Sequence, residues 1–424
     1  MFNISRRAMM KDGLLVVTAG MIMPSIFGRA VRAAHNAALE GDHWAADAQG
    51  RTLIVVQMAG GNDGLNTIVP YTDSLYYQAR PTLAIKQKDV LPLNERLGLN
   101  PAMQGVKSFW DQRKLAIVEG VGYPNPSLSH FQAMDIWQSL DLHGQGTQGW
   151  LGKYVAGLVD KDGHPFQSLD IGVQVPAALR AINAEVPTLT QPKSYQLAAD
   201  PSNKRGLDAR TQALLRLYDS YPKTAPYAAL LDATAQHAQQ GSKAIMAADA
   251  AYKPAVTYPT GAFADGLKVL AEVIVQGLGL RVGYITLGGF DTHANQVNDQ
   301  PVLLKTLAEG LAAFYNDLAA HGKADDVVIM TWSEFGRRVH ENGNEGTDHG
   351  TAAPLFVMGN AVTGGIYGEP PDLGNLDQTG NLKFTIDFRQ VYATVLDRWL
   401  GAPSQAILGG SFGNQGFLQS PSAA

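Results

Sequence analysis

The sequence contains no cysteine. Disulfides, thiol nucleophiles, iron–sulfur clusters and thiolate-held zinc are thereby excluded. A metal would have to be held by histidine and carboxylate, a donor set that points to zinc, manganese, calcium or magnesium. Charge is also sparse. Thirty-three basic and 38 acidic residues leave a net charge of −5, with no basic block. Nucleic acid is therefore not an expected partner, nor is an anionic membrane surface. No strand–GxGxxG–helix unit occurs, so nothing supports a dinucleotide-dependent oxidoreductase. Internal repeats, low-complexity segments and long linkers are missing too. One elaborated α/β domain accounts for the chain better than several separate ones.

What is present begins with an address. Arg6 and Arg7 form a pair, an apolar and glycine-containing run reaches Phe27, and Val31-Arg32-Ala33 offers a cleavage site. The run is too short and too rich in glycine to span a bilayer well. Residues 1–34 read as a twin-arginine signal peptide, which implies the export machinery as a partner, a periplasmic or secreted destination and no stable membrane anchor after cleavage. Setting them aside leaves about 390 of the 424 residues, enough for a large core.

Short apolar runs then recur, each opening into a polar loop. Arg51 to Met58 reads as a strand and leads into Gly60-Gly61-Asn62-Asp63. Glycines let the backbone bend and approach a ligand, and an Asp there can hold a cation or simply close an Asx turn. Leu115 to Val121 leads into Ser127, Ser129 and His130 at the start of a helical pattern. Either serine could cap that helix, or act as a nucleophile beside its N-terminus. Val282 to Leu287 leads into Asp291 and His293, whose spacing in an extended segment puts both side chains on one side. Val327 to Met330 and Leu355 to Met358 flank a loop carrying Glu334, Arg337, Asp348 and His349. That loop could equally be a polar surface segment with an Arg–Glu ion pair.

Residues 160–280 differ in character. Helical periodicity runs over 205–221, 227–252 and 262–280, without residues that suggest chemistry. The stretch reads as a helical insertion, or as helices covering the sheet. Further helices are expected over 301–321 and 387–400.

In open α/β sheets ligands collect outside the carboxyl ends of the strands. Acids, imidazoles and a hydroxyl that repeatedly follow strands would meet there. Such a cluster suits metal-assisted hydrolysis of a small anionic phosphate or sulfate ester.

Six segments in order carry a resemblance: GGNDGLNTIVPY, PSLSHFQAMDIW, GGFDTHANQ, SEFGR, GTDHGTAAPLFVMG and DFRQVYATVLDRWLG. Together they resemble the bacterial family called domain of unknown function 1501, itself similar to a branch of the alkaline phosphatase, sulfatase and cofactor-independent phosphoglycerate mutase superfamily. The resemblance implies an alkaline phosphatase-like α/β domain over 35–424, its central mostly parallel sheet flanked by helices on both faces. It implies Ser127 or Ser129 as nucleophile, Asp63 between nucleophile and metal, and Asp291, His293 and His349 as ligands of one metal site. Glu334 stands where hydrolases of that superfamily usually carry Asp-His; it is counted with Asp63 among the metal ligands, and the missing histidine favours one divalent metal over two. Asn62, Arg337, Asp348 and His130 fall to supporting positions. The expected function is an exported metal-dependent hydrolase of phosphate or sulfate esters. The alternative is a catalytically degenerate pocket protein with a binding or assembly role in the cell envelope.

Overall fold

A computed structural model describes residues 50–143, 146–158, 163–181, 184, 186–195, 216 and 228–419. The expected signal peptide lies outside the described residues, as does all but one residue of the helix expected over 205–221.

The main sheet holds nine strands: β1 (Thr52–Ala59), β5 (Leu115–Gly122), β6 (Ser168–Ile171), β7 (Thr188–Leu189), β8 (Val282–Gly288), β9 (Val327–Trp332), β10 (Ala353–Met358), β11 (Gly365–Tyr367) and β12 (Ile386–Asp387). Their order is β11-β5-β10-β9-β1-β8-β6-β7, with β12 also on β5. A small second sheet joins β2 (Ile68–Val69), β3 (Leu91–Pro92) and β4 (Gly98–Leu99). The fold is α/β with a mostly parallel central sheet. Only β10 runs against its neighbours β9 and β5. That single reversal places the start of β10 at the same edge as the ends of β1, β5, β8 and β9.

The largely apolar run of β1, TLIVVQMA, reflects burial on both faces. Successive side chains alternate, so Leu53 and Val55 join one core while Ile54, Val56 and Met58 join the other. The described helices are α1 (Gly64–Thr67), α2 (Ser74–Ala79), α3 (Gln104–Asp111), α4 (His130–Ser139), α5 (Trp150–Ala156), α6 (Ala228–Ala251), α7 (Ala262–Val275), α8 (Gln296–Ala320), α9 (Phe388–Val395) and α10 (Ser404–Leu408). One face is covered by Trp137, Trp150 and Tyr392 from α4, α5 and α9. The other is covered by Phe109 of α3, Leu267 and Leu270 of α7, and Leu304, Leu307, Leu311 and Phe314 of α8. Burying one such leucine stabilises by about 1.5–3 kcal/mol, so truncating Leu307 or Leu311 to Ala would cost about 2–5 kcal/mol with the cavity included.

The closing helix starts where Asp387 and Gln390 form a reciprocal cap and passes into a π-helical turn, Leu396–Leu400. The stretch 160–280, expected as a helical insertion or as helices covering the sheet, also contributes strands. β6 and β7 lie inside it and extend the sheet beyond β8. They are four and two residues long, too short for a period to show.

Candidate metal centre

Four loops at the common edge carry the site, and Arg337 ties three of them together. Its Nε donates to the Gly61 carbonyl at 2.6 Å and its Nη1 to that of Thr347 at 2.7 Å. Its Nη2 reaches the Gly60 carbonyl, the Phe290 carbonyl at 3.1 Å and Asp291 Oδ1 at 2.6 Å. The guanidinium is buried, and its planar fork suits several fixed oxygens better than an ammonium would. The loops also touch directly. Gly60 has φ +121°, and a Cβ there would stand 2.3 Å from the Asp291 amide nitrogen, so glycine is required.

Around Asp291 three imidazoles are held in the same way. His130 Nδ1 bonds Glu334 Oε1 at 2.8 Å, His293 Nδ1 bonds Asp348 Oδ1 at 3.0 Å, and His349 Nδ1 bonds the Leu128 carbonyl at 2.7 Å. Each partner is an acceptor, so each Nδ1 is the donor of its pair and each Nε2 is turned towards Asp291. The three Nε2 atoms lie 3.4, 3.1 and 3.2 Å from Asp291 Oδ1, in the order His130, His293, His349. His130 Nε2 is buried and has no hydrogen-bond partner. His130, Asp291 and His349 offer donor atoms all within 4.8 Å of one another, close enough to share one ion. His293 adjoins them, its Nε2 2.9 Å from that of His349. Imidazoles oriented through Nδ1 by carboxylate or carbonyl are the usual support of metal ligands.

Electrostatics agree with that arrangement. Burial pulls the Asp291 carboxyl up, but the Arg337 and His349 hydrogen bonds outweigh it and hold its pKa at about 2. Desolvation lowers the His349 pKa, and the His293 hydrogen bond lowers that of Asp348. Asp291 is thus an anionic group at the centre of the imidazoles. The Asp291 side chain is 48% exposed, so the cluster opens to solvent.

Several expectations change on this geometry. His130, placed among supporting residues, belongs to the converging group. Glu334, placed among ligands, is fully buried and serves His130 and the Gly60 N–H, the latter at 2.8 Å. Asp63 is corrected most clearly, because both its oxygens are taken. Arg80 Nη1 and Gln296 Nε2 each donate to Oδ2 at 2.5 Å, while Arg80 Nη2 and the Leu65 amide donate to Oδ1 at 2.9 and 3.2 Å. Asp63 caps α1 and anchors its turn instead of joining the imidazoles. Asn62 supports the same turn, its side chain exchanging hydrogen bonds with Thr67 at 2.9 and 3.1 Å. Arg80 and Gln296 were missed. Gln296 also accepts from Thr292 and Thr347, at 3.0 and 2.6 Å. Asp291 and His293 meet through tight turns, with backbone bonds from Thr292 to Phe290 and from His293 to Asp291, and not through strand alternation.

Ser129 is the N-cap residue of α4, but its side chain makes no capping bond. Leu128 and His130, on either side of it, are both fastened to the cluster, so Ser129 is held next to it by its chain neighbours. Ser127 is engaged elsewhere, accepting from the Ser129 amide at 3.2 Å and donating to Gln132 Oε1 at 2.9 Å. The Phe335 ring lies 4.8 Å from that of His130 and 4.7 Å from that of His349. Beyond it a cavity of about 320 Å³ opens, walled by Tyr123, Trp137, Glu334, Leu382 and Phe384.

The family described as "Protein of unknown function (DUF1501)" matches residues 116–409. No curated protein matches the sequence. Among solved structures, the chain is similar to the PsFucS1 sulfatase from Pseudoalteromonas sp. at 11% identity and TM-score 0.39, over 93% of this chain and 75% of that one. It is similar to a protein of the alkaline phosphatase superfamily from Vibrio parahaemolyticus at 8% identity and TM-score 0.33, over 81% and 70%. An alkaline phosphatase from the Antarctic bacterium TAB5 gives 9% identity and TM-score 0.30, over 75% and 94%.

Proposed function

The chain belongs to the DUF1501 family, and from its site we propose that it is an exported, metal-dependent hydrolase of small phosphate or sulfate esters with Ser129 as the attacking hydroxyl. The observation that carries this reading is the convergence of three Nε2 atoms on one Asp291 oxygen, with every Nδ1 already bonded. The donor set fits a divalent ion. His130, Asp291 and His349 would hold it, with His293 beside them. Three imidazoles and one carboxylate favour zinc or manganese over calcium or magnesium, which prefer oxygen ligands. A bound ion supplies Lewis-acid polarisation of the ester and of the attacking hydroxyl.

The chain's own residues do the rest. Glu334, Asp348 and the Leu128 carbonyl each accept from one Nδ1 and so direct that ring's Nε2 into the site. Arg337 fixes Asp291 and the loops beside it. The first amides of α4, which lack a side-chain cap, are available to the anionic oxygens of the ester. The neighbouring cavity receives the part of the ester that does not react. Its walls are largely apolar and aromatic, which favours aryl over methyl esters. The Arg6-Arg7 pair and the site at Ala33 support export by the twin-arginine route.

The test measures bound metal, then hydrolysis of aryl and methyl phosphates and sulfates, in the wild type and in His349→Ala. The expected result is about one zinc or manganese per chain and ester turnover, both lost in the variant. A wild type that binds no metal and cleaves neither ester class would overturn the reading and leave a binding protein.

Export is tested separately. Replacing Arg6 and Arg7 by Lys is expected to leave the precursor in the cytoplasm, and unchanged export would refute that part.

A further inference from the structure

A second cavity lies away from the imidazoles, where the edge of the main sheet divides. β5 reads LAIVEGVG, and Glu119 is the one charged residue in it. Against β10, Val118 faces Leu355 while Val121 faces Ala353, so β5 carries an extra residue at Glu119-Gly120. Gly120 has φ +64°, the left-handed conformation such a bulge requires. On the other side of β5, β11 pairs with Ala116–Val118 and β12 with Val121–Gly122. The bulge therefore lies in the gap between those strands. Bulges of this kind re-aim a side chain out of the regular alternation.

Glu119 lines a cavity of about 290 Å³ with Leu65, Pro354, Glu369, Asp372 and Lys383. It is 3% exposed, and its Oε1 has no hydrogen-bond partner. A buried carboxyl without a partner is costly, and the apolar part of the wall offers no compensation. Lys383 is the cation of the lining, and its ammonium donates to Asn375 Oδ1 at 2.6 Å. The lining thus carries three carboxyl groups against one ammonium. A single metal ion is a poor occupant. Among the described residues the imidazole cluster is the only group of acids and histidines close enough to share one. The volume is also several times that of a water, at roughly 30 Å³.

We propose that this cavity binds the alkylammonium end of a small amine, with Glu119 as the pairing carboxylate and Glu369 and Asp372 drawing the cation in. Desolvation pushes the Glu119 carboxyl up to about 8, so it is neutral near pH 7 until a cation arrives. Seating the ammonium then releases the proton and completes the buried oxygen's bonding.

The experiment titrates n-butylammonium into the full chain by calorimetry and follows thermal unfolding, with sodium chloride as the ionic-strength control. Expected are saturable binding and a raised Tm that sodium does not reproduce. Glu119→Gln, neutral and of the same size, is expected to weaken binding at least tenfold. No saturable binding to the wild type, or equal binding by Glu119→Gln, overturns the proposal. Should that variant fail to fold, Glu369→Gln with Asp372→Asn is the second test. Both positions are exposed, and binding at low salt is expected to weaken several-fold. Unchanged affinity there would also overturn it. Ester turnover enters none of these measurements.

Discussion

His293 Nε2 faces His349 Nε2 at 2.9 Å, and both rings have already committed their Nδ1 protons, one to Asp348 and one to the Leu128 carbonyl. Two lone pairs at that distance repel each other unless a proton or a cation shares them. Asp291 Oδ1, 3.1 and 3.2 Å away, sharpens the requirement, because it adds an anionic acceptor to the same point. Arg337 relieves part of the charge from behind Asp291. It does not reach between the imidazoles, so a shared proton or a bound cation is left to satisfy that pair.

The two serines are separated by what their hydroxyls do. Ser127 Oγ accepts the Ser129 amide and donates to Gln132, so Ser127→Ala removes local bonds and is expected to cost about 1 kcal/mol of stability, as a lost cap does. Ser129 makes no capping bond. Ser129→Ala is therefore expected to melt within a degree or two of the wild type and to keep its metal while losing ester turnover by at least a hundredfold. Paired measurements of Tm, metal content and initial rate decide the matter. Full activity in Ser129→Ala would refute the assignment.

The sheet and the site differ in how far they could be read from the chain. β1, β5, β8, β9 and β10 announced themselves, because strands buried on both faces are written as unbroken apolar runs. The loops after β1, β5, β8 and β9 were legible too, since each holds glycine together with an acid, or with hydroxyls and an imidazole. The pairings were not legible. Nothing local in Glu334 says that it will support His130, or in Asp63 that Arg80 will take its carboxylate. Arg80 lies 17 positions after Asp63 in sequence, outside any apolar period, and its role exists only once both loops are folded. His130 was undervalued because a lone histidine at a helix start has many uses. Its partners come from positions more than 160 residues away.

Arg80 supplies the counter-charge for Asp63 in a region shielded from water, with side-chain exposures of 0% and 1%. Removing only the cation leaves a buried carboxylate uncompensated. Arg80→Met is expected to destabilise by about 3–5 kcal/mol in urea unfolding. Adding Asp63→Asn should restore part of that loss, since the double variant buries no charge. A single variant as stable as the wild type would show that the pair is not structural.

Glu119 gives the protein a pH dependence of a definite sign. Its folded-state pKa is raised from 4.5 to about 8 by desolvation. Between those values the unfolded chain gives up this proton while the native state keeps it, so stability falls as pH rises through the window and levels above it. Glu119→Gln cannot ionise. In the absence of added amines its Tm advantage over the wild type is expected to grow from pH 5 to pH 8. A difference that stays constant over that range would mean that Glu119 titrates as an ordinary exposed acid.

Asp348 offers the most selective probe of the cluster, because it touches the imidazoles without carrying fold. Its side chain is 55% exposed, and its Oδ1 accepts from His293 Nδ1 at 3.0 Å and from Asn342 Nδ2 at 3.1 Å. Asp348→Asn can still accept the Nδ1 proton through its amide oxygen, so ring orientation and tautomer survive while the negative charge is lost. Asp348→Ala loses both. If His293 helps to hold an ion, metal affinity should fall in steps from wild type to Asn to Ala, with the Ala variant about 10–100-fold weaker, the range typical of such supporting carboxylates. Stability of the metal-free proteins should stay nearly the same across the series, since no buried group is exposed or stranded. Competition against a chelator of known affinity measures the ladder, and thermal unfolding of the chelated proteins checks the second half. Equal affinities in all three would place His293 outside the ion's reach and leave His130, Asp291 and His349 as the whole site.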